Sequence, residues 1–314
     1  MTAIKLVLNM SENWTIWDPN DARAQIDAAV AAERAGFDGV MFSEHIVLGR
    51  GSDANGLPTN AREYAMPGNQ SPDYPWPSPL VLMAGVAALT TTIRLIGAAI
   101  LAPLRHPLLL AKELGTLDQL SEGRLVVLPS VSWHEAEYAA LGVDFHRRGD
   151  ILDEQLEVMK AVWAESPVTH HGEFFNFDDI YLEPKAHRPE GVTMWFGGWT
   201  MHDRVTRRLV THGSGIMCNG PRLSAPDVER LTREFAAAGR DFSEIELVSG
   251  IGGRFTDADS IADLDVALAT FGRKIDDGYT TFCIKPCQFI DDAAHLPEFL
   301  AELVAKTDAI AAEH

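Results

Sequence analysis

Apolar side chains recur along this chain in two alternating patterns. Short, nearly continuous apolar runs rich in Val, Ile and Leu are followed by longer stretches whose apolar positions fall three and four residues apart. Runs of the first kind read as strands buried on both faces of a parallel sheet, and the longer stretches as amphipathic helices packed on it. Strands are predicted over 4–9, 37–43, 93–101, 125–131, 193–196, 215–218, 245–249 and 280–285. Helices are predicted over 21–35, 79–89, 107–120, 151–163, 202–212, 225–238, 260–272 and 293–311. Eight strand–helix repeats are the number that closes a (β/α)8 TIM barrel, so the expected fold is α/β, one barrel domain over residues 1–314. An open, doubly wound sheet of this length normally has fewer strands or a second domain. Local punctuation agrees: Asp21 suits the cap of the first helix, Gly36 its end, and Pro79 a first turn.

Two segments break the repeat. Residues 46–77, after strand two, and 167–189, after strand four, are rich in Pro, Gly and aromatic residues. Irregular segments of this length in a compact domain usually cover or bind something, and both are read as lid insertions. The composition, 46% hydrophobic and 23% charged, is that of a globular protein and excludes disordered and collagen-like chains. Acidic residues outnumber basic ones 45 to 26, and a net charge of −19 repels phosphate backbones and anionic membranes, so neither nucleic acid nor a membrane is expected as a partner. The longest apolar run, 80–89, is half of the roughly 20 residues that cross a bilayer. The opening MTAIKLVLNMSENW has no small-residue cleavage site and reads as a first strand, which makes a cytoplasmic location the expectation. The three cysteines, Cys218, Cys283 and Cys287, are too few and odd in number for a disulfide framework; Cys283-x3-Cys287 has a spacing that can bind metal, and the plainer reading is buried or free thiols.

In a barrel the reacting groups stand at the C-terminal ends of the strands. Strand two runs into Ser43-Glu44-His45, and an imidazole beside a carboxylate is suited to moving a proton near neutral pH. His45 and Glu44 are therefore the candidate catalytic residues, set against the plainer reading of a packed histidine without a chemical role. Trp195-Phe196-Gly197-Gly198-Trp199-Thr200 carries paired glycines ahead of a helix. There, backbone N–H groups can approach a phosphate, with Thr200 as candidate cap and donor. Glycines also serve tight turns for geometric reasons alone. Gly250-Ile251-Gly252-Gly253-Arg254 is a weaker signal that lacks the dinucleotide spacing. Trp14, Trp17, Trp76, Trp133 and Trp199 fall at strand ends and in loops, placed either to wall a planar ligand or to pack the core. Neither His170-His171 nor His134-Glu135 has the spacing of a zinc site, and Gly-x-Ser-x-Gly and P-loop motifs are absent. Metal, serine and nucleotide hydrolysis thus lose their best supports.

From about Ala32 to Gly215 the chain resembles the luciferase-like flavin monooxygenases, a family that includes oxidoreductases of the deazaflavin coenzyme F420. The resemblance is carried by Ile93-Arg94-Leu95, by Pro103-Leu104-Arg105-His106-Pro107 and by Thr116-Leu117-Asp118-Gln119-Leu120-Ser121-Glu122-Gly123-Arg124. It continues through 135–137, Leu141-Gly142-Val143, His171-Gly172-Glu173-Phe174-Phe175 and Trp195-Phe196-Gly197-Gly198. It implies a TIM barrel, a hydride-transferring enzyme using F420 on a small organic substrate, and His45 at the reactive edge of the cofactor ring beside Glu44. It also implies a non-prolyl cis peptide at Ala99-Ile100 under the ring, and a phosphate loop at Gly197, Gly198 and Thr200. The alternative within the family is a monooxygenase using reduced FMN supplied by a separate reductase, and in either case the resemblance implies a flavin or F420 reductase as the partner that supplies reduced cofactor. Related sequences read Gly-x-Gly-x-Gly-Trp where this chain reads Leu128-Pro129-Ser130-Val131-Ser132-Trp133. The resemblance transfers ring contacts to Ser130, Ser132 and Trp133, while the lost glycines motivate a third reading, a flavin-binding barrel without turnover. The apolar stretch 79–89 is as able to pack on a second copy of the chain as on its own barrel, which leaves a homodimer open.

Overall fold

The computed structural model describes residues 4–198, 200–218 and 223–314. Eight parallel strands close into a barrel: β1 (Lys5–Asn9), β2 (Gly39–Phe42), β3 (Arg94–Ile100), β4 (Leu125–Pro129), β7 (Thr193–Gly198), β8 (Gly215–Cys218), β9 (Glu246–Ile251) and β10 (Thr281–Ile284), which returns to β1. Side chains alternate across each strand. Val7, Met41, Ile96, Val126, Trp195, Val248 and Cys283 point inward and fill the interior. Their neighbours Leu6, Leu8, Val40, Leu95 and Val127 face the surrounding helices. Burial on both faces is why these strands read as unbroken apolar runs. At the N-terminal end the Glu246 carboxylate binds Arg94 at 2.9 Å and Lys5 at 3.2 Å, leaving the opposite end for chemistry.

The outer layer comprises α1 (Ala22–Arg34), α2 (Pro79–Leu89), α3 (Pro107–Leu120), α4 (Glu135–Ala140), α5 (Arg148–Ala164), α6 (Asp203–His212), α7 (Ala225–Ala237), α8 (Leu264–Leu268), α9 (Phe271–Asp276) and α10 (Leu296–Ala311). Asp21 caps α1 by accepting from the Ala24 N–H at 3.0 Å, and Gly36 takes a φ of 92° just beyond its end. Two differences from the periodicity stand out. The stretch predicted as one helix over 260–272 is two short ones, broken at Thr270, which stands at the N-cap of α9. Helix α4 is too short for a 3.6-residue repeat to be visible in the sequence, yet it supplies a site residue.

The two insertions behave differently. Residues 46–77 form no regular element and cross the C-terminal mouth as a strap. Asn60 donates to the carbonyls of Asp257 and Ser260 at 3.0 and 2.8 Å, and the Ala65 N–H donates to Glu12 at 2.7 Å. Residues 167–189 contain an antiparallel hairpin, β5 (Val168–His171) and β6 (Asn176–Ile180), on the outside of the barrel. Glu154 of α5 pins its tip, accepting from the N–H groups of Glu173, Phe174 and Phe175 at 3.0, 3.0 and 2.8 Å. The Phe175 ring meets His106 at the start of α3. This hairpin braces two helices, whereas the 46–77 strap roofs the mouth. Among the described residues no helix is long and apolar enough to cross a membrane, and all three cysteines are free.

Candidate active site

His45 follows β2 at the mouth, where the Ser43 N–H donates to Ser11 Oγ at 2.8 Å and ties the ends of β1 and β2 together. The imidazole is buried, and its Nδ1 lies 3.2 Å from Oε2 of Glu137, a fully buried residue in the first turn of α4. Glu137 also accepts from the Ile46 and Val47 N–H groups at 2.6 and 3.2 Å, and from Ser132 Oγ at 3.3 Å. One carboxylate thus holds the imidazole, the root of the strap and the β4 loop. Burial favours its protonated form, but the bonds from His45, Ile46 and Val47 outweigh that and keep its carboxyl below the usual carboxylate range. An anionic acceptor at Nδ1 keeps a proton there and leaves Nε2 as the nitrogen that exchanges one. Trp76 and Trp133 meet the imidazole edge-on, with centroids 5.2 and 5.8 Å away.

Glu44 is held elsewhere. It forms a two-pronged pair with Arg105, Nη1 to Oε2 at 2.8 Å and Nη2 to Oε1 at 2.5 Å, and accepts from the Leu101 N–H at 2.9 Å. Neighbouring side chains on an extended backbone point opposite ways, so adjacency in sequence separates Glu44 from His45 instead of joining them. Glu44 braces the end of β3. The non-prolyl cis peptide lies there, between Ala98 and Ala99, one bond before the expected Ala99-Ile100 position. Pairing with β4 skips a residue at the same place, Ala98 standing opposite Leu128 and Ile100 opposite Pro129. Ala99 packs at the top of the barrel interior. The Ile100 side chain is buried in the outer layer, and only its carbonyl, accepting from the Ser130 N–H at 2.8 Å, faces the β4 loop.

Within the stretch where related sequences carry glycines, one residue takes a glycine-like conformation. Ser132 adopts a φ of 55°, the left-handed conformation glycine takes freely and other residues at a cost of about 1 kcal/mol. Its hydroxyl reaches Glu137, whereas Leu128 fills barrel interior. His134 accepts the Gly49 N–H at Nε2 over 2.8 Å. Across the mouth, the two glycines divide in role. A Cβ on Gly197 would stand 1.8 Å from the Met217 carbonyl, so that glycine serves the close approach of β7 and β8. Among the described residues, nothing stands within 4 Å of where a Cβ on Gly198 would be. Thr200 is exposed and caps nothing: α6 starts at Asp203 with His202 at its N-cap. Trp199 lies outside the described residues. Gly253 packs against Ala262 and Gln288, a structural use of the third glycine run. Among the described residues no cluster of His, Cys, Asp and Glu could hold a metal ion.

A closed parallel barrel with a buried imidazole–carboxylate pair at its C-terminal mouth, under a strap and between two indoles, defines an enzyme of the TIM-barrel class. The chain belongs to the luciferase-like monooxygenase family, whose model matches residues 6–313. It is 33% identical over 175 residues to pyrimidine monooxygenase RutA of Methylorubrum extorquens, a match covering 53% of this chain and 47% of that protein. The chain spans about half the length of the curated relatives it matches. In fold it resembles a riboflavin lyase, RcaE, solved with modified FMN and riboflavin (TM-score 0.69, 15% identity, 97% of this chain and 92% of that one). It likewise resembles an F420-dependent secondary alcohol dehydrogenase solved with an F420–acetone adduct (TM-score 0.68, 15% identity, 97% and 99%).

Sequence reasoning missed Glu137. It lies in the stretch that carries the family resemblance, but nothing local ranks it above Glu135, which the structure leaves exposed.

Proposed function

We propose that this chain is an oxidoreductase that seats a flavin-type ring across the barrel mouth, with coenzyme F420 as the first reading, and acts on a small organic substrate. The observation that carries it is the buried His45–Glu137 pair, with the imidazole's second nitrogen left to exchange a proton. The residues present fit such a ring: Gly198 leaves an open flank for its tail, Trp133 and Ser130 stand on the β4 side, and Ala99 lies beneath. When bound, a deazaflavin supplies or accepts a hydride at carbon, and a reduced flavin supplies electrons to dioxygen. His45 takes the hydroxyl proton of a substrate undergoing oxidation, or returns one to a carbonyl oxygen during reduction, through Nε2. Glu137 holds the ring orientation and stabilises the imidazolium while that proton is resident. The indoles of Trp76 and Trp133 exclude water from the imidazole edge.

A second reading is a reduced-FMN monooxygenase served by a separate flavin reductase, and its oxygenase part is supported by the curated relatives, which are named monooxygenases. Anaerobic titration of the purified protein with reduced F420 and with reduced FMN discriminates the two. Tight binding of one, with turnover abolished in His45→Ala while that binding persists, is the expected result. Failure of both to bind overturns the reading, and binding without turnover of any substrate supports a flavin-binding barrel. A homodimer is proposed on Val81 and Leu89 of α2, which stand 70% and 61% exposed, and light scattering tests it.

A further inference from the structure

The middle of the strap, residues 60–66, is held on the barrel by polar contacts. Among the described residues, no side chain of 60–66 belongs to an apolar core. Tyr64 sets its ring between the ends of β1 and β10: its hydroxyl reaches the Asn9 side chain, and Nζ of Lys285 stands 5.1 Å from the ring centroid. Lys285 is fully buried, donating to the Glu63 carbonyl at 2.8 Å and facing Glu12 Oε2 at 3.3 Å. The same Glu12 oxygen accepts from the Ala65 N–H at 2.7 Å. Glu12 reaches both from a φ of 64°, a left-handed conformation that is unfavourable outside glycine and that these contacts offset. On the β9 side, Asn60 donates to the carbonyls of Asp257 and Ser260, and Gln288 Nε2 donates to that of Arg62 at 3.2 Å.

A segment anchored in this way differs from the strands beneath it. When it lifts, its hydrogen bonds and charge pair are exchanged for water and little apolar surface opposes the opening, whereas barrel strands are released only when the core unfolds. The root of the strap is fastened separately. The Ile46 and Val47 N–H groups rest on Glu137, the partner of His45, and the Gly49 N–H on His134. The geometry points to a gate: residues 60–66 lift as a unit off the ends of β1, β9 and β10, with Glu12 and Lys285 as the latch and 46–49 as the fixed root. That side of the mouth then opens to the incoming cofactor while the His45–Glu137 pair stays assembled. The latch lies in the pair because removing either partner leaves the other charge buried and unmet. What passes through the gate follows from the oxidoreductase reading; the motion itself does not.

Hydrogen exchange of the whole protein, followed amide by amide, tests the motion, with the Ala65 N–H on Glu12 as reporter. Ala65 should exchange about a thousandfold or more faster than the amides of β1 and β10, at a rate independent of low denaturant, as local opening requires. Lys285→Met and Asn60→Ala, at opposite sides of the segment, should each speed Ala65 about tenfold or more and leave Ile46 and Val47 within about twofold. Exchange of Ala65 as slow as that of the strands, or equal acceleration of Ile46 and Val47, overturns the gate. If Lys285→Met does not fold, Asn60→Ala decides alone. Stopped-flow binding of reduced F420 and reduced FMN tests what passes: the association rate of the cofactor that binds should rise in Asn60→Ala by the factor measured at Ala65. Faster exchange with unchanged association overturns the gating role. Binding of neither cofactor sinks the oxidoreductase reading and leaves the exchange result to decide the motion.

Discussion

Nδ1 of His45 and Oε2 of Glu137 stand 3.2 Å apart although 92 positions separate them in the chain. The two come from different strand–helix units: His45 is delivered by the end of β2, and Glu137 by a helix of six residues that follows β4. Because the same carboxylate takes the N–H groups of Ile46 and Val47, imidazole orientation and strap position are coupled through a single side chain.

Glu137→Gln should lower kcat by about 10- to 100-fold, the range for losing a partner that orients a functional histidine, while leaving cofactor Kd nearly unchanged. The amide still fills the space but cannot stabilise the imidazolium, so the acidic limb of the pH–rate profile should move as well. Steady-state kinetics across pH check this, and an unchanged kcat with an unmoved profile would refute the role given to Glu137.

Glu44→Gln should act on stability. It breaks a largely buried two-pronged pair and leaves the Arg105 guanidinium without its counter-charge, which costs about 3 kcal/mol where one partner of such a pair is removed. Denaturant titration should show a lower midpoint with an unchanged slope, and a variant as stable as wild type would show that Arg105 finds another partner.

The Gly49–His134 bond makes the strap sensitive to acid. His134 Nε2 accepts that bond, which only a neutral imidazole can do. Burial pushes its pKa below the ordinary histidine value; Glu137 pulls the other way, and His45 adds to the depression. With the folded value below the unfolded one of about 6.5, the linked stability is complete above that pH and is lost as pH falls through the folded value. Melting temperature should therefore decline between pH 7.5 and 5.5, and His134→Gln should flatten that decline. The carboxyl of Glu137, held below its usual range, adds its own loss only at lower pH.

Ser132 and Gly197 test whether glycine chemistry at the mouth is conformational. Ser132→Gly trades a left-handed φ of 55° for the loss of the hydroxyl bond to Glu137, two effects of about 1 kcal/mol and opposite sign. Its net stability change should stay within about 1 kcal/mol, whereas Ser132→Val, branched at Cβ, should lose about 2 kcal/mol or more. Gly197→Ala places a methyl 1.8 Å from the Met217 carbonyl and must part β7 from β8. It should be the most damaging of the three by thermal denaturation.

The barrel was legible in the sequence because burial on both faces of most of its strands imposes short apolar runs, each followed by a helical repeat. That local constraint survives without knowledge of the fold. Asp21, Gly36 and Pro79 were legible for the same reason, since a cap or a first turn depends on a few neighbouring residues. His45 could be singled out because a strand end fixes where a side chain emerges. Its partner could not be. Chain adjacency pointed to Glu44, but an extended backbone turns neighbours apart, and only closure of the barrel brings α4 against the end of β2. The same closure sends residues 46–77 over the mouth and residues 167–189 along the outside, a difference that composition does not encode because both are rich in the same turn residues. Local chemistry thus determined the elements and one imidazole, while the choice of carboxylate, the division of labour between Gly197 and Gly198 and the position of Trp76 were decided by contacts between strands and helices far apart in the chain.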